Sequence, residues 1–277
     1  MLLTVFTATK NRAYILPRLF ESLMLQKNKN FEWIIVDDNS SDNTDECIDN
    51  FRKSDLEFKI KYYKNVKGGG KHRAMNLAIS KAEGVLFFSV DSDDYLVDNA
   101  IMMIEQEWKK VDREVMGICF RRINQDTGNL IGEKKFRGGY ASPIKINYLW
   151  NMRFDKAEIF RTDVICKQPF PEFEGEWFCT EAYWIYLIEK NGPAEMACCN
   201  VGIRYTEYLY DGLTKNMKAI KTQNPKGYLA FYKLLLTFPE VYLHPKHAAY
   251  AFWQIIYLSY IIRMNYRRKM IVSGKDE

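Results

Sequence analysis

The chain has 277 residues, 47% hydrophobic and 27% charged, an ordinary globular composition that suits one large domain or one domain with an appendage. The formal net charge of +5 is too small to indicate nucleic-acid binding, so we expect no nucleic-acid partner. Six cysteines without a Cys-x-x-Cys pair predict reduced thiols and a cytoplasmic protein. The amino terminus lacks the basic segment of a signal peptide, and no apolar run reaches membrane-spanning length, so we expect neither a leader nor a transmembrane helix.

Short apolar runs alternate with segments of helical period along the first hundred residues. The runs predict strands at 2–7, 31–36, 60–63 and 85–90. Between them apolar residues recur at intervals of three and four, as in the helix predicted around Leu16, Leu19 and Leu23. This alternation predicts an α/β fold with a mostly parallel central sheet and helices on both faces.

Polar clusters follow three of these strands, at 7–11, at Asp37-Asp38 and at Asp91-Ser92-Asp93-Asp94. Because ligands bind beyond the carboxyl ends of strands in open α/β sheets, we expect these side chains to lie along one edge. Asp91 and Asp93 offer anionic oxygens, which suit a hard divalent cation. The alternative interpretation is a strand-to-loop turn whose aspartates cap the next helix.

A glycine-rich segment, Gly68-Gly69-Gly70, precedes Lys71 and the third helix. It is not a phosphate-binding P-loop, because His72 follows the lysine. Backbone N–H groups at the start of this helix could face a pyrophosphate. A flexible loop without a ligand is the alternative.

Four ordered motifs resemble those of family 2 glycosyltransferases. They are Thr9-Lys10-Asn11-Arg12 preceded by Ala8, Val36-Asp37-Asp38-Asn39-Ser40-Ser41-Asp42, Gly70-Lys71-His72-Arg73-Ala74-Met75-Asn76, and Asp91-Ser92-Asp93-Asp94. The order and spacing of the motifs over roughly residues 1–120 carry the resemblance. Lys10 departs from the family pattern, which usually has a flat side chain there, and this argues against stacking on a base from that position.

The resemblance implies a type A glycosyltransferase fold with a Rossmann-like half. It divides the chain into a nucleotide-sugar-binding half at 1–120, an acceptor-binding half on the same sheet at 121–240, and a C-terminal amphipathic helix with a basic tail at 241–277. It also implies that Asp38 contacts the nucleobase and that Asp91 and Asp93 hold Mn²⁺ or Mg²⁺ against the diphosphate of a donor, expected to be UDP-linked. The residues implied to bind the nucleotide sugar are Thr7, Thr9, Asn11, Asp37, Asp38, Gly70, Lys71, Asn76, Asp91, Ser92 and Asp93.

The second half has an acidic and aromatic segment at 169–181, which opens a predicted helix at 182–190. Inverting transfer needs a base that takes the proton of the acceptor hydroxyl. The family has its base at such a position, which Glu181 matches best and Glu176 second. Capping of the helix dipole is the alternative role for Glu181. Asp211 and Thr214 lie in a motif that resembles bacterial members and are expected near the donor or acceptor, unless Asp211-Gly212 is an ordinary turn.

The C-terminal segment 248–262 is apolar and aromatic, and it is followed by Arg263, Arg267, Arg268 and Lys269. Fifteen residues are too few to span a bilayer. Aromatic and basic residues together predict an interfacial helix that contacts a membrane through residues 248–269. A helix that packs on the core is the alternative.

These patterns together predict a metal-dependent, inverting glycosyltransferase. Its partners are expected to be a nucleotide-sugar donor and a glycan or lipid-linked acceptor, in the cytoplasm or at the inner face of the plasma membrane. A sugar-phosphate nucleotidyltransferase is a second hypothesis, but residues 7–12 lack the glycine-rich loop usual for that class. A catalytically silent membrane-surface scaffold is a third, and the Asp91 and Asp93 pair argues against it.

Overall fold

The computed structural model describes residues 1–65, 68–207 and 217–272, with side chains described as far as residue 267. The strands are β1 Leu3–Thr9, β2 Phe31–Asp37, β3 Lys59–Lys64, β4 Leu86–Ser89, β5 Tyr95–Leu96, β6 Gly117–Asn124, β7 Tyr140–Ala141, β8 Lys156–Arg161 and β9 Met196–Thr206. The helices are α1 Leu16–Met24, α2 Thr44–Arg52, α3 Lys71–Lys81, α4 Ala100–Trp108, α5 Thr162–Ile165, α6 Glu181–Asn191, α7 Met217–Gln223, α8 Pro225–Leu235 and α9 Pro245–Val272.

The strands of the described residues form one sheet in the order β3-β2-β1-β4-β8-β6-β9-β5, with β7 paired to β9. The first four strands are parallel, as the alternation of strands and helices predicts. Beyond β4 the sheet is mixed: β8 runs antiparallel to both β4 and β6, whereas β9 runs parallel to β6. The predicted α/β fold class is confirmed, and the parallel arrangement is concentrated in the first half of the chain.

Helices cover both faces of the sheet. One face packs against α1, α2 and α4 through buried residues such as Leu19, Ile48 and Ile104. The opposite face packs against α3, α5 and α6 through residues such as Met75 and Trp184. The predicted helix at 182–190 begins one residue earlier, at Glu181, so this carboxylate lies in the first turn of α6.

The third apolar cluster joins the C-terminal helices to α6. Ala251 and Leu258 of α9 are fully buried against it, together with Tyr232 of α8 and Tyr186 of α6. The predicted segment 248–262 is therefore part of a longer helix that packs on the core along one side. Among the described helices, none is both long enough and apolar enough to cross a membrane.

The other side of α9 is exposed and apolar. Phe252, Trp253, Ile256 and Tyr260 are 52%, 54%, 71% and 59% exposed. These positions follow helical spacing, and Arg263 continues the same stripe. The helix thus packs on the core along one side and exposes apolar, mostly aromatic side chains on the other; we call these four residues the exposed stripe of α9.

Candidate functional site

The parallel strands bring the predicted polar clusters to one edge of the sheet. Thr9 at the end of β1 lies in register with Asp37 at the end of β2, and Phe6 of β1 lies in register with Ser89 of β4. The segment that contains Asp91 and Asp93 therefore follows β4 at the same edge as the end of β2. This is the edge at which α/β sheets bind ligands.

A single ammonium group joins the two halves of the site. Lys71, the first residue of α3, forms ion pairs with Asp91 and, at 2.7 Å, with Glu181 in the first turn of α6. Burial acts to raise the pKa of Asp91, but the charges of Lys71, Arg204 and Arg122 hold it well below its usual range. Asp91 is therefore ionised at neutral pH, and the Lys71 ammonium is its counter-charge.

Two further carboxylates follow Asp91 along the chain. Burial and the nearby charge of Asp91 raise the pKa of Asp93. Asp94 is almost completely buried, and its Oδ2 lies 3.1 Å from Nε of Arg204. Burial nevertheless raises the pKa of Asp94 to about 6, although Arg204 opposes the shift. The mutual repulsion of Asp91 and Asp93 is the electrostatic condition that a bound cation relieves.

Asp91 and Asp93 fit a divalent cation of the Mg²⁺ or Mn²⁺ type. Both are oxygen donors, and the position beside Asp91 already attracts a positive group, the Lys71 ammonium. Among the described residues, however, no three histidine, cysteine, aspartate or glutamate side chains are grouped closely enough to hold a metal by themselves. A cation here would need further oxygens from a ligand or water, which is how Mg²⁺ is commonly held in phosphate-binding enzymes.

At the ends of β1 and β2, hydrogen bonds connect the predicted nucleotide-binding residues to neighbouring loops. The carboxylate of Asp38 accepts hydrogen bonds from Nδ2 of Asn65 and the backbone N–H of Gly70, both at 3.0 Å. The backbone N–H of Ser41 donates to Oδ1 of Asn11 at 2.7 Å. The Asn11–Ser41 contact thus joins the loops that follow β1 and β2, and Asp38 joins the loop after β2 to the glycine segment.

Other predicted residues of this edge are buried within it. Asp37 is completely buried and accepts hydrogen bonds from Ser40 and Tyr62. The hydroxyl of Thr9 is also buried and has no hydrogen-bond partner among the described residues. Ser92, between the two candidate metal ligands, is 9% exposed.

Two predicted contacts are not brought to this edge. The hydroxyl of Thr7 accepts a hydrogen bond from the Trp33 indole at 3.0 Å and faces the core, where it is fully buried. Asn76 lies a full turn and more along α3, and its amide binds the backbone of Phe170 and the carboxylate of Glu172. Both side chains therefore have structural partners within the protein, and their contact with the nucleotide sugar stays a prediction.

The two candidate bases differ clearly in their surroundings. Glu181 faces the cleft and contacts Lys71. Glu176 is 5% exposed, and its two carboxylate oxygens accept hydrogen bonds from the backbone N–H groups of Lys226, at 2.5 Å, and Gly227, at 2.9 Å. These N–H groups belong to the first turn of α8, so Glu176 caps that helix from outside. Glu176 thus has a structural position as the cap of α8, whereas Glu181 faces the cleft; the role of either as the base stays a prediction.

Three charged residues of the second half are absent from the predicted set: Arg122, Glu158 and Arg204. They line a cleft beside Asp91 whose polar lining comes from six elements and includes Lys71, Ser89, Asp91, Arg122, Glu158, Glu181 and Arg204. Arg204 is 1% exposed and donates to the backbone carbonyl of Ser89 at 2.6 Å. The sequence signal that could have identified Arg204 is a single arginine directly after the uncharged segment 196–203. Asp211 and Thr214 lie outside the described residues.

The chain is similar to known glycosyltransferases. Residues 4–168 match the profile of the family described as Glycosyl transferase family 2. The chain is 31% identical over 128 residues to Glycosyltransferase GlyG of Streptococcus pneumoniae, covering 46% of this chain and 42% of that protein. It is 29% identical over 227 residues to the GalNAc(5)-diNAcBac-PP-undecaprenol beta-1,3-glucosyltransferase of Campylobacter jejuni, covering 75% of this chain and 72% of that enzyme.

Solved structures share the fold. A crystal structure of TarS from Staphylococcus aureus in complex with UDP superposes with a TM-score of 0.66 and 18% sequence identity, covering 86% of this chain and 67% of that one. The chain thus spans less than half the length of GlyG and about two thirds of this TarS chain.

Replacing Glu176 by alanine should destabilise the protein. The change leaves two N–H groups at the start of α8 without their acceptor, which costs about 1–3 kcal/mol of unfolding free energy. Urea denaturation measures the loss. The matched control is Glu174→Ala, because Glu174 is exposed on the same segment and its contact with the described part of α8 is made by its backbone carbonyl. Equal stability of the two variants would contradict the capping role.

Proposed function

The chain belongs to glycosyltransferase family 2, and from that premise we propose that it transfers a sugar, with inversion, from a UDP-sugar to a hydroxyl of a lipid-linked or polysaccharide acceptor. The observation that carries this proposal is the Lys71 contact with both Asp91 and Glu181. It means that a candidate leaving-group site from the first half and a candidate base from the second half open onto one cleft. Displacement with inversion needs this arrangement, because the acceptor attacks from the side opposite to the leaving group.

The donor nucleotide is assigned to the ends of β1 and β2. Asp38 remains the proposed partner of an N–H group of the base, with Asn11 and Asp37 ordering the surrounding loops. The diphosphate is assigned to the segment Gly70-Lys71, where a helix N-terminus and an ammonium group favour an anion. Asp91 and Asp93 would hold Mn²⁺ or Mg²⁺, and such a cation supplies electrostatic stabilisation of the negative charge on a departing diphosphate.

Glu181 is the proposed general base. Its carboxylate is partly exposed in the cleft and held by Lys71. In this proposal Lys71 turns from the two carboxylates toward the donor diphosphate, which has the stronger negative charge. Glu181 is then free to accept the proton of the acceptor hydroxyl as the new glycosidic bond forms.

The acceptor is proposed to be lipid-linked, because the Campylobacter jejuni relative is named as a glucosyltransferase that acts on an undecaprenol-linked glycan. The exposed stripe of α9 and the neighbouring Arg263 and Arg267 have the composition of a helix that binds an anionic membrane surface. We therefore propose a peripheral position at the cytoplasmic face of the plasma membrane, with residues 121–240 forming the acceptor-binding half.

Neither the nucleotidyltransferase nor the scaffold hypothesis has a supporting observation.

Replacing Asp93 by alanine should abolish Mn²⁺-stimulated transfer and Mn²⁺-dependent tightening of UDP binding. The reason is that one of two anionic cation ligands is lost. Calorimetric titration of UDP with and without Mn²⁺ measures the effect, and excess EDTA should reproduce it in the unmodified enzyme. Asp98→Ala, an exposed aspartate five residues further on, is the control. Unchanged activity of Asp93→Ala or in EDTA would refute metal dependence.

Replacing Glu181 by glutamine should lower kcat by at least about 100-fold, because removal of a general base typically costs 10²–10⁴ in rate. UDP binding should change little, since the base contacts the acceptor. Steady-state kinetics and calorimetry separate the two quantities. Glu172→Gln is the matched control, because Glu172 is an exposed carboxylate that pairs with Arg73 outside the cleft. Near-normal kcat in Glu181→Gln would disprove the assignment.

Replacing Trp253 and Ile256 together by serine should reduce binding to vesicles that contain anionic lipid. Both side chains are more than half exposed, so the folded core should be unaffected. Flotation with phosphatidylglycerol-containing vesicles measures the partitioning. Leu25→Ser, at a 65% exposed apolar residue on another surface, is the control. Equal flotation of all three proteins would mean that α9 serves only to pack on the core.

A further inference from the structure

Glu158 lies in the cleft and has no structural partner that accounts for its position. It belongs to β8, and extending the β4–β8 register by one residue places it opposite Ser89, two residues before Asp91. No hydrogen bond or ion pair joins its carboxylate to another residue in the described part of the chain, yet it lines the same cleft as Asp91 and Glu181. Glu158 is half-buried, and its carboxylate oxygens are not among the buried unpaired atoms of the described residues, so a ligand in the cleft could donate hydrogen bonds to them.

The charges around Glu158 restrict what can bind beside it. Burial raises the pKa of Glu158, with Lys156 and Arg122 opposing and the Glu181 charge adding to the shift. A diphosphate or another anion would be repelled by this carboxylate. A neutral ligand that donates hydrogen bonds would instead supply the partners that Glu158 lacks.

Arg122 provides the complementary group. Its Nε donates to the backbone carbonyl of Lys156 at 2.7 Å, which fixes the side chain across the cleft. Its terminal Nη1 is 4.0 Å from the Asp94 carboxylate, beyond hydrogen-bond length, and the side chain retains 14% exposure. The cleft therefore offers a fixed hydrogen-bond donor and a free acceptor, a combination that suits hydroxyl groups, which both donate and accept.

The location indicates which hydroxyl groups these are. If Asp91 serves the leaving diphosphate and Glu181 the attacking acceptor, the transferred sugar must occupy the space between them. Glu158 and Arg122 line this space. We propose that Glu158 and Arg122 form the subsite that recognises hydroxyl groups of the donor sugar, an inference that rests on the proposed function and adds the residues that select the sugar.

Calorimetry with UDP and with UDP-sugars tests the proposal, because a UDP-sugar adds the sugar to the same nucleoside and diphosphate, and each variant is compared with the unmodified protein for the same ligand. UDP, UDP-glucose and UDP-N-acetylglucosamine are titrated in Mn²⁺ into the unmodified protein, Glu158→Ala and the control Glu114→Ala, an exposed carboxylate just before β6. For Glu158→Ala we expect UDP affinity within about twofold of the unmodified protein and at least about tenfold weaker binding of the preferred UDP-sugar, the loss typical of a hydrogen bond to a charged group. Glu114→Ala should leave both affinities unchanged.

Thermal unfolding without ligand separates recognition from a structural role. Since Glu158 has no described hydrogen-bond partner, Glu158→Ala should unfold at the same or a higher temperature than the unmodified protein. Equal weakening of UDP and UDP-sugar, no weakening of either, or a lowered unfolding temperature would overturn the proposal. If the unmodified protein binds UDP-sugars but Glu158→Ala does so equally well, the proposed function stands and only this subsite is wrong. If the unmodified protein binds neither UDP nor any UDP-sugar, the proposed donor is wrong and the subsite with it.

Discussion

The ion pairs of the Lys71 ammonium with Asp91 and Glu181 connect the parts of the site. Lys71 can reach both carboxylates because α3 begins directly after Gly70, whose φ of 89° is a conformation that favours glycine. A side chain at this position would also collide with the backbone carbonyl of Trp177. The Gly70 N–H donates to Asp38, so one short segment joins the nucleotide end of the site to the cleft. We therefore expect a substitution at one end of this segment to shift the side chains that contact its other end.

A buried ion pair between Asp94 and Arg204 lies beside the cleft, because Arg204 is also one of its lining residues. Asp94 is buried directly before β5, and Nε of Arg204 in β9 lies 3.1 Å from its carboxylate as the counter-charge. Two charges taken out of water are stabilised only when they are paired in good geometry, and removing one partner is strongly destabilising. Arg204 also donates to the carbonyl of Ser89, so the same guanidinium holds β9 to the strand that carries the aspartates. The position of the acidic segment in the first half of the chain thus depends on β9, which belongs to the second half.

The structure of α9 leaves room for both roles that the sequence presents as alternatives, core packing and the proposed membrane contact. Its buried side, with Ala251 and Leu258, completes the apolar cluster of α8 and α6, whereas Trp253 and Ile256 on its other side are exposed. A helix has room for both faces, because residues three and four apart share a side. Core packing therefore does not compete with membrane contact in this helix.

Local patterns in the sequence determined the α/β class, the four parallel strands and the positions of Asp38, Asp91 and Glu181 at strand and helix ends. They could do so because hydrophobic period and strand-end position depend on neighbours along the chain. Tertiary structure alone decided the rest. Glu176 differs little from Glu181 in sequence, but it caps α8, which begins about 50 residues later. Thr7 and Asn76 lie in the right motifs, yet their side chains are turned toward Trp33 and Phe170. Arg204 reaches Ser89 across 115 residues of chain. No local pattern encodes such contacts, because they form only when distant strands and helices pack together.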